Sequence, residues 1–325
     1  MFTHKDIEYR NIFVINCTEE ERTIRVHNGE LQLEVNKDER NVVLTRLPFQ
    51  KMLAIFVIGH ASITTPLIDK CKKYNVALVV LNTRMRLVFY WTNNAEANYL
   101  LRKRQYRMSD DDISIAQKIV WNKIYNQQRL LQKTRRKDML TQIGINLCDT
   151  ALNTVYDTDS IAALMGLEGI VARSFFDAYY QDYGWNCRRP RTKCDMLNAI
   201  LDIGYTLLFN YIEVFVRMFG FDPYVGVYHR LWFKRKSLIC DLVEPFRCII
   251  DQTTRKALAL KQFSEKDFTI RNYEYNLNVE RNSYYCKTFY QPLVEKKTEI
   301  FKYVQAYYRC FMQQKPIKDY PVFEI

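Results

Sequence analysis

The chain has 325 residues, and its 48% of hydrophobic residues supply a sizeable core and argue against wholesale disorder. Its 48 Lys and Arg residues outnumber the 36 Asp and Glu residues, and the formal charge of +12 favours an anionic partner, above all a nucleic acid. The nine scattered cysteines include no Cys-x-x-Cys pair, and no amino-terminal signal segment is visible, so we expect a cytoplasmic protein with reduced thiols.

The first ninety or so residues have the pattern of β-strands. Apolar and polar residues alternate on both sides of Asn28-Gly29, a dipeptide typical of a type I′ turn. A two-residue loop would pair Val26 with Leu31 and Ile24 with Leu33. The apolar side chains would then share one face of a β-hairpin.

Three further strands are predicted before residue 92. Residues 55–58 and 76–81 are continuous apolar runs of strand length, and residues 84–91 are predicted to form one more strand. Between the first two runs, Thr65 is suited to the N-cap of a short helix and Pro66 to its first position. This region is therefore expected to be a small β-rich domain.

The polar residues 93–99 break this pattern, and the chain after them is predicted to be helical. Ser109 and Asp112 resemble a capping box for a helix from about residue 110 to the low 130s. Further helices are predicted at about 160–182, 196–219 and 245–261, with more helix after 290. The fold class is therefore α+β, with a β-rich domain at 1–92, a linker at 93–99 and a larger all-α domain at 100–325.

Residues 196–219 are apolar over the length of a membrane span. Polar residues nevertheless recur there at three- or four-residue spacing: Asn198, Asp202, Thr206, Asn210, Glu213 and Arg217. This is the polar seam of a buried amphipathic helix, so we do not expect it to cross a membrane.

Three ionisable residues, far apart in the sequence, have distinctive neighbours. Glu168 lies in Gly-Leu-Glu-Gly, His229 ends Gly-Val-Tyr-His, and Glu244 lies in Asp-Leu-Val-Glu-Pro-Phe-Arg. Two carboxylates and one imidazole suit a divalent cation that keeps open positions for substrate oxygens. Taken singly, each residue also has a plainer interpretation: a solvated helical Glu, a structural His and an acidic helix start. A phosphate-binding Gly-rich loop and a Gly-x-Ser-x-Gly elbow are absent, so an NTPase or serine hydrolase has no support.

These three segments resemble the motifs Gly-x-Glu-Gly, Gly-x-x-His and Asp-Leu-x-Glu-x-Phe-Arg of the Cas1 family, the CRISPR-associated integrases of spacer acquisition. The resemblance implies that Glu168, His229 and Glu244 are the catalytic residues and hold Mg²⁺ or Mn²⁺. It makes Asp241 a supporting group or a water-mediated ligand. Arg247 is implied to orient a carboxylate or to contact phosphate.

The resemblance extends to the segment that precedes and opens the apolar helix. Residues 195–199 resemble the family's Asp-Pro-x-Asn-Ala with Met196 in place of Pro, which leaves the start of that helix uncertain. Tyr205 also matches, and a packing or DNA-positioning role is expected for it rather than nucleophilic catalysis.

Basic residues occur in several clusters of the predicted helical domain. The candidate DNA contacts are Arg188, Arg189, Arg191, Lys193, Lys234 and Arg235. Residues 102–104 and 135–137 form further clusters. Each cluster alone is typical of a solvated surface, but phosphate neutralisation relies on many weak contacts together.

The resemblance implies a metal-dependent DNA integrase and endonuclease of CRISPR adaptation. The 3′-hydroxyl of a double-stranded prespacer would attack a phosphodiester at the boundary of a CRISPR repeat. The family forms homodimers through its amino-terminal domain, bridged by the small partner Cas2. Two alternatives stay open: a non-catalytic DNA-binding subunit, which the charge alone permits, and a structure-specific repair nuclease with the same site.

Overall fold

The computed structural model describes residues 4–37, 40–92, 98–109, 111–135, 137–229 and 233–325. Most of the predicted linker, residues 93–97, lies outside the described residues. A helix begins at Tyr99, within the range predicted as linker. The nine cysteines all fall in the described part of the chain, and all are free thiols.

A six-stranded mixed sheet forms the amino-terminal region. Its strands are β1 (Asn11–His27), β2 (Glu30–Lys37), β3 (Arg40–Leu47), β4 (Met52–Ile63), β5 (Ala77–Leu81) and β6 (Leu87–Trp91), in the order β3-β2-β1-β4-β5-β6. The β1–β4 and β4–β5 pairs are parallel and the other pairs are antiparallel.

The predicted hairpin is confirmed residue by residue. Val26 lies opposite Leu31 and Ile24 lies opposite Leu33. The turn residues Asn28 and Gly29 both have positive φ, at 48° and 81°. A type I′ turn requires this conformation at both central positions, which Asn and Gly adopt most easily.

Residues 52–58 of strand β4 are buried on both faces, which explains the continuous apolar run there. Ile55 and Val57 pack with helix α2 (Thr65–Tyr74), whose N-cap is Thr64 rather than the predicted Thr65. On the opposite face, the Phe56 ring lies 5.2 Å from that of Tyr290 in the helical region. One hydrophobic core therefore joins the sheet to the helices.

The rest of the fold is mainly helical, so the predicted α+β class is confirmed. The helices are α1 (His4–Tyr9), α3 (Tyr99–Gln105), α4 (Ser114–Lys133), α5 (Met139–Thr154), α6 (Ile161–Tyr179), α7 (Met196–Met218), α8 (Ser237–Val243), α9 (Arg247–Ala259), α10 (Val279–Glu295) and α11 (Lys297–Gln313). Two short strands, β7 (Phe268–Arg271) and β8 (Glu274–Leu277), form a hairpin between α9 and α10. The sequence patterns predict neither α5 nor this hairpin.

The expected capping box before α4 is wrong. The helix begins at Ser114, and the Asp112 carboxylate accepts a hydrogen bond from the Ser114 backbone N–H at 3.0 Å. The Ser109 hydroxyl instead accepts from the backbone N–H of Asp111 at 3.2 Å. Both side chains therefore stabilise turns ahead of the helix rather than cap it.

Helix α7 is the helix of the described region that is long and apolar enough to cross a membrane. However, 78% of its most apolar window is buried inside the protein, as in the core helix of a globular fold. Its N-cap Asp195 accepts a hydrogen bond from the Asn198 backbone N–H at 2.7 Å. The helix therefore starts at Met196 without the proline of the family motif.

Candidate functional site

Two of the predicted ligands, Glu168 and Glu244, converge on the ammonium group of Lys123. Glu168 lies on α6, Lys123 lies in the middle of α4, and Glu244 opens a single 3₁₀ turn between α8 and α9. Lys123 Nζ lies 2.5 Å from Glu168 Oε1 and 2.6 Å from Glu244 Oε2. Lys123 is only 9% exposed, so its charge depends on these two carboxylates.

Glu244 is a buried carboxylate that stays charged. Burial alone would raise its pKa, but Arg247, Lys123 and His229 outweigh this effect and hold the pKa of Glu244 at about 2. Arg247 Nε lies 3.0 Å from Glu244 Oε2. The same oxygen lies 2.6 Å from Lys123 Nζ, so two cationic groups compensate the negative charge of Glu244 inside the protein.

Burial alone would likewise lower the pKa of the Lys123 ammonium group. Glu168 and Glu244 outweigh the burial and raise this pKa above its ordinary value. Lys123 and Glu244 therefore both stay charged despite their burial.

Asp241 orients His229 and the turn that carries it. Asp241 Oδ1 lies 2.8 Å from His229 Nδ1 and accepts the His229 backbone N–H at 2.8 Å. Its other oxygen accepts the backbone N–H groups of Val227 and Tyr228. A side chain at Gly226 would approach Asp241 Oδ2 to 2.6 Å, so glycine is required there. A carboxylate on Nδ1 leaves Nε2 as the nitrogen available to a ligand.

The donor set fits a divalent cation, although Lys123 lies between the carboxylates. Within the described residues, no three His, Cys, Asp or Glu side chains stand close enough together to surround an ion as they are. His229 is nonetheless near enough to Glu244 to lower the pKa of that carboxyl group. Carboxylate and imidazole donors suit Mg²⁺ or Mn²⁺, provided that the ammonium group moves aside.

The aromatic ring of Tyr205 packs against the guanidinium group of Arg247. The centroid of its ring lies 4.6 Å from the Arg247 guanidinium carbon and 5.6 Å from that of Arg188. Its hydroxyl donates to Asp251 Oδ1 at 2.6 Å. Burial raises the pKa of the Tyr205 phenol well above its ordinary value, which suits packing rather than nucleophilic attack.

The loop that carries the basic run is anchored to the start of α7. The Arg188 guanidinium donates to Asp202 at 2.6 Å and to Asn198 at 2.7 Å. Asp202 also accepts the Arg191 backbone N–H at 2.9 Å. Arg188 is thus held internally, whereas Arg189 and Arg191 are exposed. Because Arg188 shares Tyr205 with Arg247, this loop adjoins the carboxylate site.

The remaining candidate DNA contacts differ in how exposed their side chains are. Lys193 is half-buried, and its carbonyl accepts the Tyr275 backbone N–H of β8 at 2.9 Å. Lys234 is exposed, while Arg235 is half-buried and hydrogen-bonds Cys240. DNA contact by these residues stays a prediction.

Lys123 is the residue that sequence reasoning missed. Its neighbours on the buried side of α4 include Asn122, Asn126 and Gln127. Polar residues repeating at four-residue spacing beside an apolar stripe are a signal of a buried polar site, and this signal is visible in the sequence.

Comparison with known proteins places the chain in a family. The family model described as CRISPR associated protein Cas1 matches residues 15–291, a range that includes Glu168, His229 and Glu244.

The chain belongs to the Cas1 family.

A relative named CRISPR-associated endonuclease Cas1 1, from Thermodesulfovibrio yellowstonii, is 27% identical over 287 residues, which cover 83% of this chain and 89% of the relative. A casposase bound to integration product has a TM-score of 0.75 and 20% identity, over 94% of this chain and 91% of that chain. A chain of a Cas6-RT-Cas1–Cas2 complex has a TM-score of 0.77 and 19% identity, over 97% of this chain but only 36% of that longer chain. Both structures share the fold of this Cas1-family chain.

Proposed function

We propose that this Cas1-family chain is a metal-dependent DNA integrase and endonuclease of CRISPR adaptation. The observation that carries the proposal is the convergence of buried Glu244 and half-buried Glu168 on the ammonium group of Lys123, with His229 close to Glu244. The endonuclease name of a curated relative and the casposase with its integration product support the same chemistry.

Glu168, His229 and Glu244 would hold the metal. Bound Mg²⁺ or Mn²⁺ would supply Lewis acidity at the target phosphodiester. Asp241 keeps the imidazole of His229 oriented, and Arg247 adds a fixed positive charge at the same place. Such preorganised charges stabilise the negative charge that develops during phosphoryl transfer.

The substrate would be double-stranded DNA, with the 3′-hydroxyl of a prespacer as nucleophile and a CRISPR repeat as target. Arg189 and Arg191 of the anchored loop face solvent beside the site, where they can hold a DNA backbone without reading bases. Water in place of the hydroxyl would give strand cleavage by the same residues.

The chain would act as a homodimer together with Cas2. The edge strand β3 exposes Val42, Val43 and Leu44, an apolar surface suited to pairing with a second copy. Cas2 enters because a structurally similar chain was solved in a Cas1–Cas2 complex.

Substitution of the ligands tests the proposal. Glu168→Gln, His229→Ala and Glu244→Gln should each abolish Mn²⁺-dependent strand transfer and weaken Mn²⁺ binding, whereas Glu280→Gln, an exposed charge on α10, should change neither. Asp241→Asn should lower activity about 10–100-fold, since it acts through His229. The readouts are insertion of labelled prespacer into a repeat plasmid and calorimetric titration with Mn²⁺.

Near-normal strand transfer by Glu168→Gln would overturn the assignment. If the wild-type protein binds DNA but neither binds Mn²⁺ nor breaks a phosphodiester, it is a non-catalytic DNA-binding subunit. Cleavage of branched DNA without insertion into a repeat would indicate a repair nuclease.

A further inference from the structure

Lys123 occupies an unusual position for a lysine. Its side chain is almost completely buried, and its ammonium group is the cation to which both Glu168 and Glu244 point. A buried ammonium is costly unless it is paired, and here the partners are two of the predicted metal ligands. The lysine therefore belongs to the same charged cluster as the site, on a helix that supplies none of the predicted ligands.

The ammonium group and a divalent ion would compete for the same space. Both carboxylate oxygens lie within 2.6 Å of Lys123 Nζ. A Mg²⁺ ion takes oxygen ligands at about 2.0–2.1 Å, so an ion bridging these two oxygens would overlap the ammonium nitrogen. Two cations this close would also repel each other strongly in a buried site.

We propose that Lys123 is a built-in counter-cation of the metal site: it holds Glu168 and Glu244 together when no metal is bound, and metal binding displaces it. This inference rests on the proposed metal site and adds a residue that sets its affinity. The lysine acts as a positioning residue, because it organises the carboxylates before the metal arrives.

The structure also contains a place that can receive the displaced ammonium group. A cavity of about 20 Å³ adjoins Lys123 and is also lined by Gln127, Glu244 and Asp251. Gln127 Oε1, one turn further along α4, is buried and makes no hydrogen bond to any described group. A cavity of this size holds roughly one water-sized group. The ammonium group could therefore leave the carboxylates and still find an acceptor within reach of its flexible stem.

Removing the charge of Lys123 tests the proposal in protein stripped of metal with a chelator. Lys123→Met should bind Mn²⁺ more tightly than wild type, by roughly tenfold if the ammonium occupies the site about nine-tenths of the time. Without metal, the variant should unfold at a lower temperature than wild type, because buried Glu244 and half-buried Glu168 lose a counter-ion. Added Mn²⁺ should raise its unfolding temperature by more than that of wild type.

Lys118→Met on the same helix is the matched control. Lys118 lies over the Trp121 ring, and its replacement removes the same charge from α4, so the Mn²⁺ affinity of this variant should stay at the wild-type value. Equal or weaker Mn²⁺ binding by Lys123→Met than by this control would overturn the proposal. Should Lys123→Met not fold, Lys123→Gln is titrated in the same way, with the same two outcomes.

A crystal structure of the wild-type protein with Mn²⁺ gives an independent measurement. Lys123 Nζ should then lie beyond hydrogen-bond distance of at least one of the two carboxylates. An ammonium group still bridging both, with the metal bound elsewhere, would refute the proposal. Failure of the metal site itself looks different, because then Glu168→Gln and wild type bind Mn²⁺ equally or not at all.

Discussion

Asp251 shows how strongly single residues near the site are perturbed. Burial raises the pKa of its carboxyl group to about 6, although the Tyr205 hydroxyl, Arg247, Lys123 and the Tyr180 hydroxyl all act to lower it. Its ordinary value is 3.8. The folded protein therefore favours the protonated acid, and stability is lost as the pH rises from about 4 through 6.

Replacement of Asp251 by Asn removes this titration while keeping an acceptor for Tyr205. A shift of roughly two pH units corresponds to about 3 kcal/mol, so Asp251→Asn should be more stable than wild type at pH 8 by up to that amount. The difference should become small near pH 4, where the carboxyl group begins to be protonated in the unfolded chain as well. Urea unfolding of metal-free protein across this pH range gives the measurement.

Asp157→Asn, at an exposed position, serves as the control and should differ from wild type by less than about 0.5 kcal/mol at every pH. A stability difference for Asp251→Asn that is the same at pH 4 and pH 8 would contradict the assignment of the raised pKa.

At the residue scale, the sequence indicates the local settings of Glu168, His229 and Glu244, but not that Glu168 and Glu244 lie against one buried lysine. Taken alone, the local pattern around each of these residues allows a plain structural interpretation. Only the resemblance to the Cas1 family groups the three residues as one set of metal ligands. Lys123 carries no such motif, because a lysine on an amphipathic helix is normally solvated. The spacing of polar residues on α4 indicates a buried polar face, but the packing of α4 against α6 and the 3₁₀ turn, which places Lys123 between the two carboxylates, is not encoded locally.

At the scale of elements, two glycines occupy contrasting helical environments. Gly204 lies where α7 crosses α9 and α10, and an added Cβ would come within 2.4 Å of Ile250 Cγ2 and 2.9 Å of Phe289 Cε1. Gly166, just ahead of Glu168 on α6, has nothing within 4 Å of such a Cβ. Glycine is therefore required by packing at the first position and not at the second.

Alanine at these two positions should have opposite effects on stability. Gly204→Ala should destabilise the protein by about 1–3 kcal/mol, because the buried side chains cannot move aside without strain. Gly166→Ala should stabilise it by up to about 1 kcal/mol, since alanine is the better helix former. Chemical denaturation of both variants tests this pair. A neutral or stabilising effect of Gly204→Ala would show that the crossing of α7 is not as close as described.

Turn residues decide which of the two hairpins could be predicted from the sequence. The dipeptide Asn28-Gly29 predicts the first hairpin. The β7–β8 hairpin instead turns at Asn272 and Tyr273, which both have positive φ. Tyrosine rarely adopts this conformation, so the sequence gives no turn signal there. Helix α5 was missed as well, although Asp138 caps it by accepting the Thr141 backbone N–H at 2.9 Å.

At the scale of the whole molecule, the exposed sheet edges bear on assembly. Both edge strands carry exposed apolar residues, including Val43 on β3 and Val88 on β6. We expect a homodimer at micromolar concentration, measured by light scattering. Val43→Lys or Val88→Lys should shift it towards monomer, depending on which edge is used. Tyr273→Lys, at an exposed hairpin tip, is the control; a wild-type monomer would contradict the prediction.

The net charge of the whole molecule predicts the class of its partner but not the surface that contacts this partner. The net charge of +12 favours DNA, yet the structure shows that not every basic residue is free to bind it. Arg188 is paired with Asp202, and Lys236 lies 2.7 Å from the buried carboxylate of Glu213. Pairings between residues this far apart depend on the tertiary fold and cannot be read from composition.

The final prediction concerns how the exposed charges hold DNA. Arg189 and Arg191 are exposed and Lys193 is half-buried on the anchored loop beside the site, and the only described side-chain partner of the three is the Cys187 sulfur, to which Arg189 donates. Replacing all three by Gln should weaken binding of every duplex sequence alike. The slope of log K against log salt should become shallower by up to about 2.7, that is, about 0.9 for each phosphate that is no longer neutralised. Fluorescence anisotropy over a salt series measures both quantities.

A second triple variant separates local contact with DNA from a general decrease in net charge. Lys51, Lys72 and Lys73 are exposed on the amino-terminal region, so their replacement by Gln removes the same charge away from the site. Long-range attraction is screened beyond about 10 Å at 0.1 M salt, whereas direct phosphate contacts release counterions at every salt concentration. The slope should therefore become clearly shallower for the loop variant than for this control. Equal slopes for the two variants would show that the loop does not touch DNA.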